Sequence, residues 1–113
     1  MQTICPELLL QELCSGVPMV IVDVRDRNDV RGRGTIADAR SFPLDQLGHR
    51  IAELAGYRSR AVVLVSDGER PSRDAAVALE LAGFHDVMVL EGGMARWIEL
   101  GYPIEQQTPG EQS

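Results

Sequence analysis

The residues of this chain that could do chemistry are gathered in one short loop, Ser66-Asp67-Gly68-Glu69-Arg70-Pro71-Ser72. It follows Ala61-Val62-Val63-Leu64-Val65, an apolar and mostly β-branched run that reads as a strand buried on both faces. An amphipathic helical pattern begins at Ser72. In an α/β sheet, a loop that leaves the carboxyl end of a strand and enters a helix is where ligands bind. The amides at the helix start favour an anion there. Ser66, first after the strand, stands where an attacking group would stand. Its hydroxyl stays protonated near neutral pH and needs an adjacent base before it can attack.

The rest of the loop works against an anion as much as for it. Asp67 and Glu69 repel negative charge, and Pro71 has no amide hydrogen to give. Arg70 is the loop's one cation, able either to fork onto an oxyanion or to neutralise Glu69. Ser72 reads as the N-cap of the following helix. Asp23 and Arg25 end an earlier strand on the same sheet edge, where they either border the site or hold the loop geometry as a charged pair. His49 falls mid-helix and His85 at a strand start, and both read as ordinary polar residues. Cys5 and Cys14 have the spacing of neither a metal site nor a redox pair. Cys5 sits where it would cap the first helix, and Cys14 reads as a buried apolar filler. No metal ligand set is visible, and no cofactor is expected.

The elements that must position this loop follow from periodicity and punctuation. Pro6-Glu7 starts a helix that places Leu9, Leu10, Leu13 and Cys14 on one face and stops at Gly16. Val17 to Val24 is a strand, with Pro18 just before its hydrogen-bonded part. Arg25 to Thr35 is polar, with room for a single helical turn at Asn28–Arg31. Ile36 to Phe42 is a short return strand closing at Pro43. Leu44, Leu47, Ile51 and Leu54 recur at helical spacing up to Gly56. The helix after the loop presents Ala75, Ala76, Leu79 and Ala82, and stops at Gly83. Asp86 to Leu90 is a further strand. Glu91-Gly92-Gly93 turns into a last helix carrying Met94, Trp97 and Ile98 and ended by Gly101, with Trp97 and Met94 in the core. Strands alternating with helices predict an α/β fold, a parallel sheet covered on both faces.

Bulk properties narrow the function further. At 113 residues, 44% hydrophobic and 25% charged, the chain is a single soluble domain, over residues 1–105. Residues 106–113 read as a disordered tail. A net charge of -6 argues against a nucleic-acid surface, which needs a basic patch. All the positive charge is arginine, so a lysine Schiff base or a P-loop is excluded. No apolar run approaches the ~20 residues that span a bilayer. A cytoplasmic, reducing location is the expectation; oligomeric state is open.

Three segments taken together resemble the rhodanese (sulfurtransferase) family. The first is Ile21-Val22-Asp23-Val24-Arg25, followed by Gly34-Thr35-Ile36, Ala39-Arg40 and Phe42-Pro43-Leu44. The second is the Ser66 loop, followed by Ala75-Ala76 and Leu81-Ala82-Gly83-Phe84. The third is Val89-Leu90-Glu91-Gly92-Gly93-Met94-Ala95-Arg96-Trp97 with Gly101-Tyr102-Pro103. Their order and spacing carry the resemblance, which spans roughly residues 4–105. It implies a three-layer fold with a parallel sheet of about five strands and helices on both faces. It also implies a thiolate at the first loop position, taking sulfane sulfur from a donor such as thiosulfate and passing the persulfide to a thiol or cyanide. Helix-start amides would lower the pKa of that thiol.

Here the position holds Ser66, and serine cannot carry a persulfide. The expectation is therefore a rhodanese-like module inactive as written, a pseudoenzyme. Its loop, Asp67 to Ser72, would bind a small sulfur-containing anion or a persulfide-bearing protein. The alternative is an active single-domain sulfurtransferase seen as a Cys-to-Ser variant at position 66. A phosphatase-like relative would use the same cradle for phosphate, but it too needs a thiolate, and the loop is one residue short.

Overall fold

The computed structural model describes residues 1–106. The expected tail, 106–113, lies outside the described residues from 107 onward. Five strands form one sheet: β1 (Gln2–Ile4), β2 (Val20–Asp23), β3 (Arg40–Ser41), β4 (Ala61–Val65) and β5 (Asp86–Leu90). The order is β1-β5-β4-β2-β3, with every neighbouring pair parallel. The register sets Asp23 beside both Val65 and Ser41, and Ile4 beside Leu90, so all five strands end on one edge. β4 lies at the centre, and Ser66 therefore leaves the middle of that edge.

Helices α1 (Pro6–Cys14), α2 (Arg27–Arg33), α3 (Leu44–Arg50), α4 (Arg70–Leu81) and α5 (Gly93–Glu99) complete the fold. Successive strand side chains point to opposite faces, and β4 divides the core on that rule. Val62 and Leu64 join Leu47, Leu54, Ala75, Ala76, Leu79 and Phe84 on the α3–α4 side. Val63 and Val65 join Leu9, Ile36, Met94 and Trp97 on the α1–α5 side. The result is the three-layer α/β architecture that the alternating pattern predicts.

Several elements differ from their sequence reading. β1 escaped it, because three residues ahead of Cys5-Pro6 are too few to display a period; the strand is held by its register against Met88–Leu90. β2 begins at Val20, leaving Val17 exposed. α2 is a seven-residue helix rather than one turn: the Asp26 carboxylate accepts the Asn28 amide at 2.7 Å, and Gly34 closes it at φ 83. The return strand shrinks to Arg40–Ser41, because Ala39 N bonds Ile36 O in a turn that passes through Asp38 at φ 65. The helix from Leu44 holds α geometry only to Arg50 and tightens to a 3-10 helix over Ile51–Tyr57. Cys14 is exposed rather than buried, since α1 turns its face to the sheet around Leu9 and its last residue overhangs. Cys5 does occupy the N-cap position of α1, but its side chain caps nothing.

Candidate functional site

The loop between β4 and α4 is four residues, Ser66 to Glu69; Arg70, Pro71 and Ser72 already belong to the first turn of α4. Ser72 is thus not the N-cap. Glu69 takes that position without a side-chain cap, and the first helical bond runs from Arg73 N to Glu69 O at 2.9 Å. Arg70-Pro71 forces the earlier start, because proline fits the first turn, where its missing N–H has no helical partner. Ser72, 1% exposed, points inward instead, its Oγ 2.7 Å from Ser66 Oγ.

Ser66 is 1% exposed, and its hydroxyl also lies 2.6 Å from the Gly68 carbonyl, to which it donates. That assigns the proton order: Ser72 donates to Ser66 Oγ, and Ser66 donates to Gly68 O. Among the described residues no histidine or carboxylate bonds the Ser66 hydroxyl. His49 and His85 are both exposed, His85 immediately before β5 at the opposite sheet edge. Among the described residues no general base is in hydrogen-bond reach of Ser66.

The outer wall of the loop is the start of α5. Met94 N donates to Ser66 O at 2.7 Å and Ala95 N to Asp67 O at 3.1 Å. The Gly92 amide donates to Glu69 Oε2 at 2.8 Å, and Arg73 Nη2 to Glu69 Oε1 at 2.8 Å. The Gly92 amide, then the Arg73 guanidinium, holds the Glu69 carboxyl below the usual glutamate range, against a smaller opposing effect of burial. Neutralising Glu69 therefore falls to Arg73, one helical turn on. Arg70 is exposed and has no ion-pair partner among the described residues.

Asp23 and Arg25 hold the loop geometry as a charged pair and also lie beside the Ser66 loop. Arg25 Nε and Nη2 grip the Asp23 carboxylate at 3.0 and 2.7 Å, and Nη2 also donates to Gly34 O at 2.7 Å. Thr35 Oγ1 adds a 2.7 Å bond to Asp23 Oδ2. This buried pair pins the turn after α2 to the end of β2. It also faces the loop: Arg25 Nη1 lies 3.8 Å from Asp67 Oδ1, and Arg33 Nη1 lies 3.5 Å from the same oxygen. Thr35, Arg33 and Gly93 are the site-forming residues the sequence reading did not single out. Thr35 and Gly93 each lay in a segment the resemblance rests on, Gly34-Thr35-Ile36 and Glu91-Gly92-Gly93, while Arg33 had no legible signal. Among the described residues no cluster could hold a metal ion, and no helix is long and apolar enough to cross a membrane.

Known proteins share this fold. The family model "Rhodanese-like domain" matches residues 6–100. The uncharacterized protein YibN of Escherichia coli (strain K12) is 29% identical over 85 residues, which is 75% of this chain and 59% of YibN. The chain spans about three fifths of the length of that relative. The rhodanese-like domain of the Alr3790 protein from Anabaena superposes with a TM-score of 0.83 at 31% identity, covering 96% of this chain and 85% of that one. RPA3614 from Rhodopseudomonas palustris, described as a protein of unknown function and possible tyrosine phosphatase, gives 0.86 at 27% identity, over 93% and 85% of the two chains. From motif order, strand topology and these matches together, the chain belongs to the rhodanese-like domain family, which is related to sulfurtransferases.

Proposed function

We propose that this chain is a non-catalytic rhodanese-like module, which holds a small sulfur-containing anion or a persulfide-bearing protein at the Ser66 loop without turning it over. The observation that carries this reading is the hydroxyl chain Ser72 to Ser66 to Gly68 O, in which Ser66 Oγ meets a donor and an acceptor but no base. An oxygen there neither ionises near neutral pH nor accepts sulfane sulfur. The start of α4 and the cation Arg70 support anion binding, because the amides of a helix's first turn lack intrahelical partners.

The test is an assay of the full chain with thiosulfate and cyanide, alongside a titration with thiosulfate alone. The expected result is binding without thiocyanate. Thiocyanate formed by the Ser66 protein would overturn the reading. The substitution Ser66→Cys addresses the alternative, an active sulfurtransferase carrying cysteine at this position: brisk turnover would favour that reading over a module adapted to serine.

A further inference from the structure

Arg25 is buried and incompletely bonded. Nε and Nη2 are occupied by Asp23 and Gly34 O. Nη1 has no hydrogen-bond partner among the described residues, although the side chain is only 2% exposed. Buried donors are rarely left without an acceptor, since each such group loses water and gains nothing. What Arg25 lacks is not charge compensation, which Asp23 supplies, but an acceptor at Nη1. The group it faces is Asp67, whose Oδ1 stops at 3.8 Å, beyond hydrogen-bond range. The exposed Arg33 brings a second guanidinium to 3.5 Å of that oxygen. One carboxylate is thus approached by two guanidiniums, with Nη1 left unbonded.

Resting on the reading of the loop as an anion site, we propose that Arg25 Nη1 and Arg33 form a subsite for a small tetrahedral oxyanion, and that Asp67 stands over it as a tethered competitor. The Asp67 backbone is anchored, its carbonyl accepting from Ala95 N at 3.1 Å, and from that anchor its Oδ1 stands 3.8 Å from Nη1. Its side chain is 47% exposed and free to swing outward. A free oxyanion is not tethered and presents oxygens in several directions. It reaches Nη1 at hydrogen-bond distance and takes a second contact from Arg33. The carboxylate competes at the high effective concentration of a group on the same chain, so its removal strengthens anion binding.

The experiment titrates the full 15N-labelled chain with inorganic sulfate at constant ionic strength, following the loop amides and the Arg25 Nε–H signal. Asp67→Asn is compared with the unaltered chain and with Asp74→Asn, which removes an equal charge one turn into α4. The expected result is that Asp67→Asn binds sulfate about tenfold more tightly, with the Arg25 signal moving, while Asp74→Asn changes affinity less than about twofold. Equal gains in the two variants would overturn the proposal, reducing it to net charge. Loop amides that shift while Arg25 stays still would overturn the subsite but leave the anion-binding reading intact. If sulfate and thiosulfate move nothing in any of the three proteins, that reading falls and the subsite with it.

Discussion

A Cβ placed on Gly93 would lie 2.4 Å from the carbonyl oxygen of Asp67, with the Ser66 and Gly68 carbonyls each at 2.6 Å. The loop and the start of α5 therefore touch backbone to backbone, and the amides of Met94 and Ala95 reach the loop carbonyls because nothing stands between them. Gly93 also sits at φ 62, a conformation that side chains resist. Two independent demands meet at one residue.

Gly93→Ala tests both demands. It is expected to cost about 3 kcal/mol or more, combining left-handed strain with a main-chain clash that cannot relax without moving the loop. Gly101→Ala is the control, because Gly101 shares the positive φ of 73 but has open space around it. It should cost about 1–2 kcal/mol. Urea unfolding of the two variants measures the difference, which is the clash alone.

The Ser66–Ser72 pair is separable by a double-mutant cycle. Ser66→Ala leaves the buried Ser72 hydroxyl without its partner and is expected to destabilise by about 1–2 kcal/mol, and Ser72→Ala by a similar amount. The double variant should cost clearly less than the two losses added, since it strands no buried hydroxyl on the other. Additive losses in chemical denaturation would show that the two side chains do not communicate.

Ser66→Cys should produce a sluggish thiol. The Gly68 carbonyl sits against this position, and a carbonyl favours the protonated form, opposing what the Ser72 hydroxyl and the start of α4 give a thiolate. Alkylation with iodoacetamide followed by mass spectrometry across a pH series should give an apparent pKa at or above the ordinary value of about 8.5. A thiol titrating near 6 to 7 would mean that the loop turns its amides, not a carbonyl, to this position.

Glu69 makes stability pH-dependent in a definite sense. Its folded pKa is lowered by the Gly92 amide and the Arg73 guanidinium. The carboxylate's contribution is therefore present above its unfolded pKa and is lost as pH falls through the folded one. Glu69→Gln should be less stable than the parent at pH 7, with the gap closing on acidification below about pH 4. Thermal melts at stepped pH follow the convergence; a gap that stays constant would place the effect elsewhere.

Removing one partner of the buried pair is the harshest change. Asp23→Asn leaves buried Arg25 with only the half-exposed Asp67 carboxylate 3.8 Å away and loosens Thr35, and should cost about 3–5 kcal/mol. Thr35→Val removes a single bond from the same carboxylate and should cost about 1–2 kcal/mol. Equilibrium unfolding ranks the two.

Residues 61–82 read in the same order as a string of letters and as a fold, with the start of the helix at Arg70 rather than Ser72 as the one difference. A β-branched run, a polar break and a helical apolar stripe each report on their own neighbourhood, so β4, the loop and the buried face of α4 were all legible. The Glu91-Gly92-Gly93 turn was legible for the same reason, as was the parallel α/β class. Cys14 misled because an apolar face marks which side of a helix is buried and not how far along its length the sheet continues. β1 and the shortened β3 were hidden because each owes its pairing to a distant strand.

The chemistry at the loop divides along the same line. Serine at position 66 and proline at 71 are matters of covalent structure, and they alone deny the site a sulfur atom and one amide. Everything about their surroundings depends on parts of the chain far apart in order. Ser72 turned inward because Arg70-Pro71 started the helix early and carried its hydroxyl over Ser66. Gly93 came to rest on the loop because β5 pairs beside β4. The unbonded Nη1 of Arg25 exists because three segments, ending at Asp23, Gly34 and Asp67, converge on one guanidinium. Local periodicity reports which face of an element is buried, while the acceptors and donors that meet there are set by packing across the sheet.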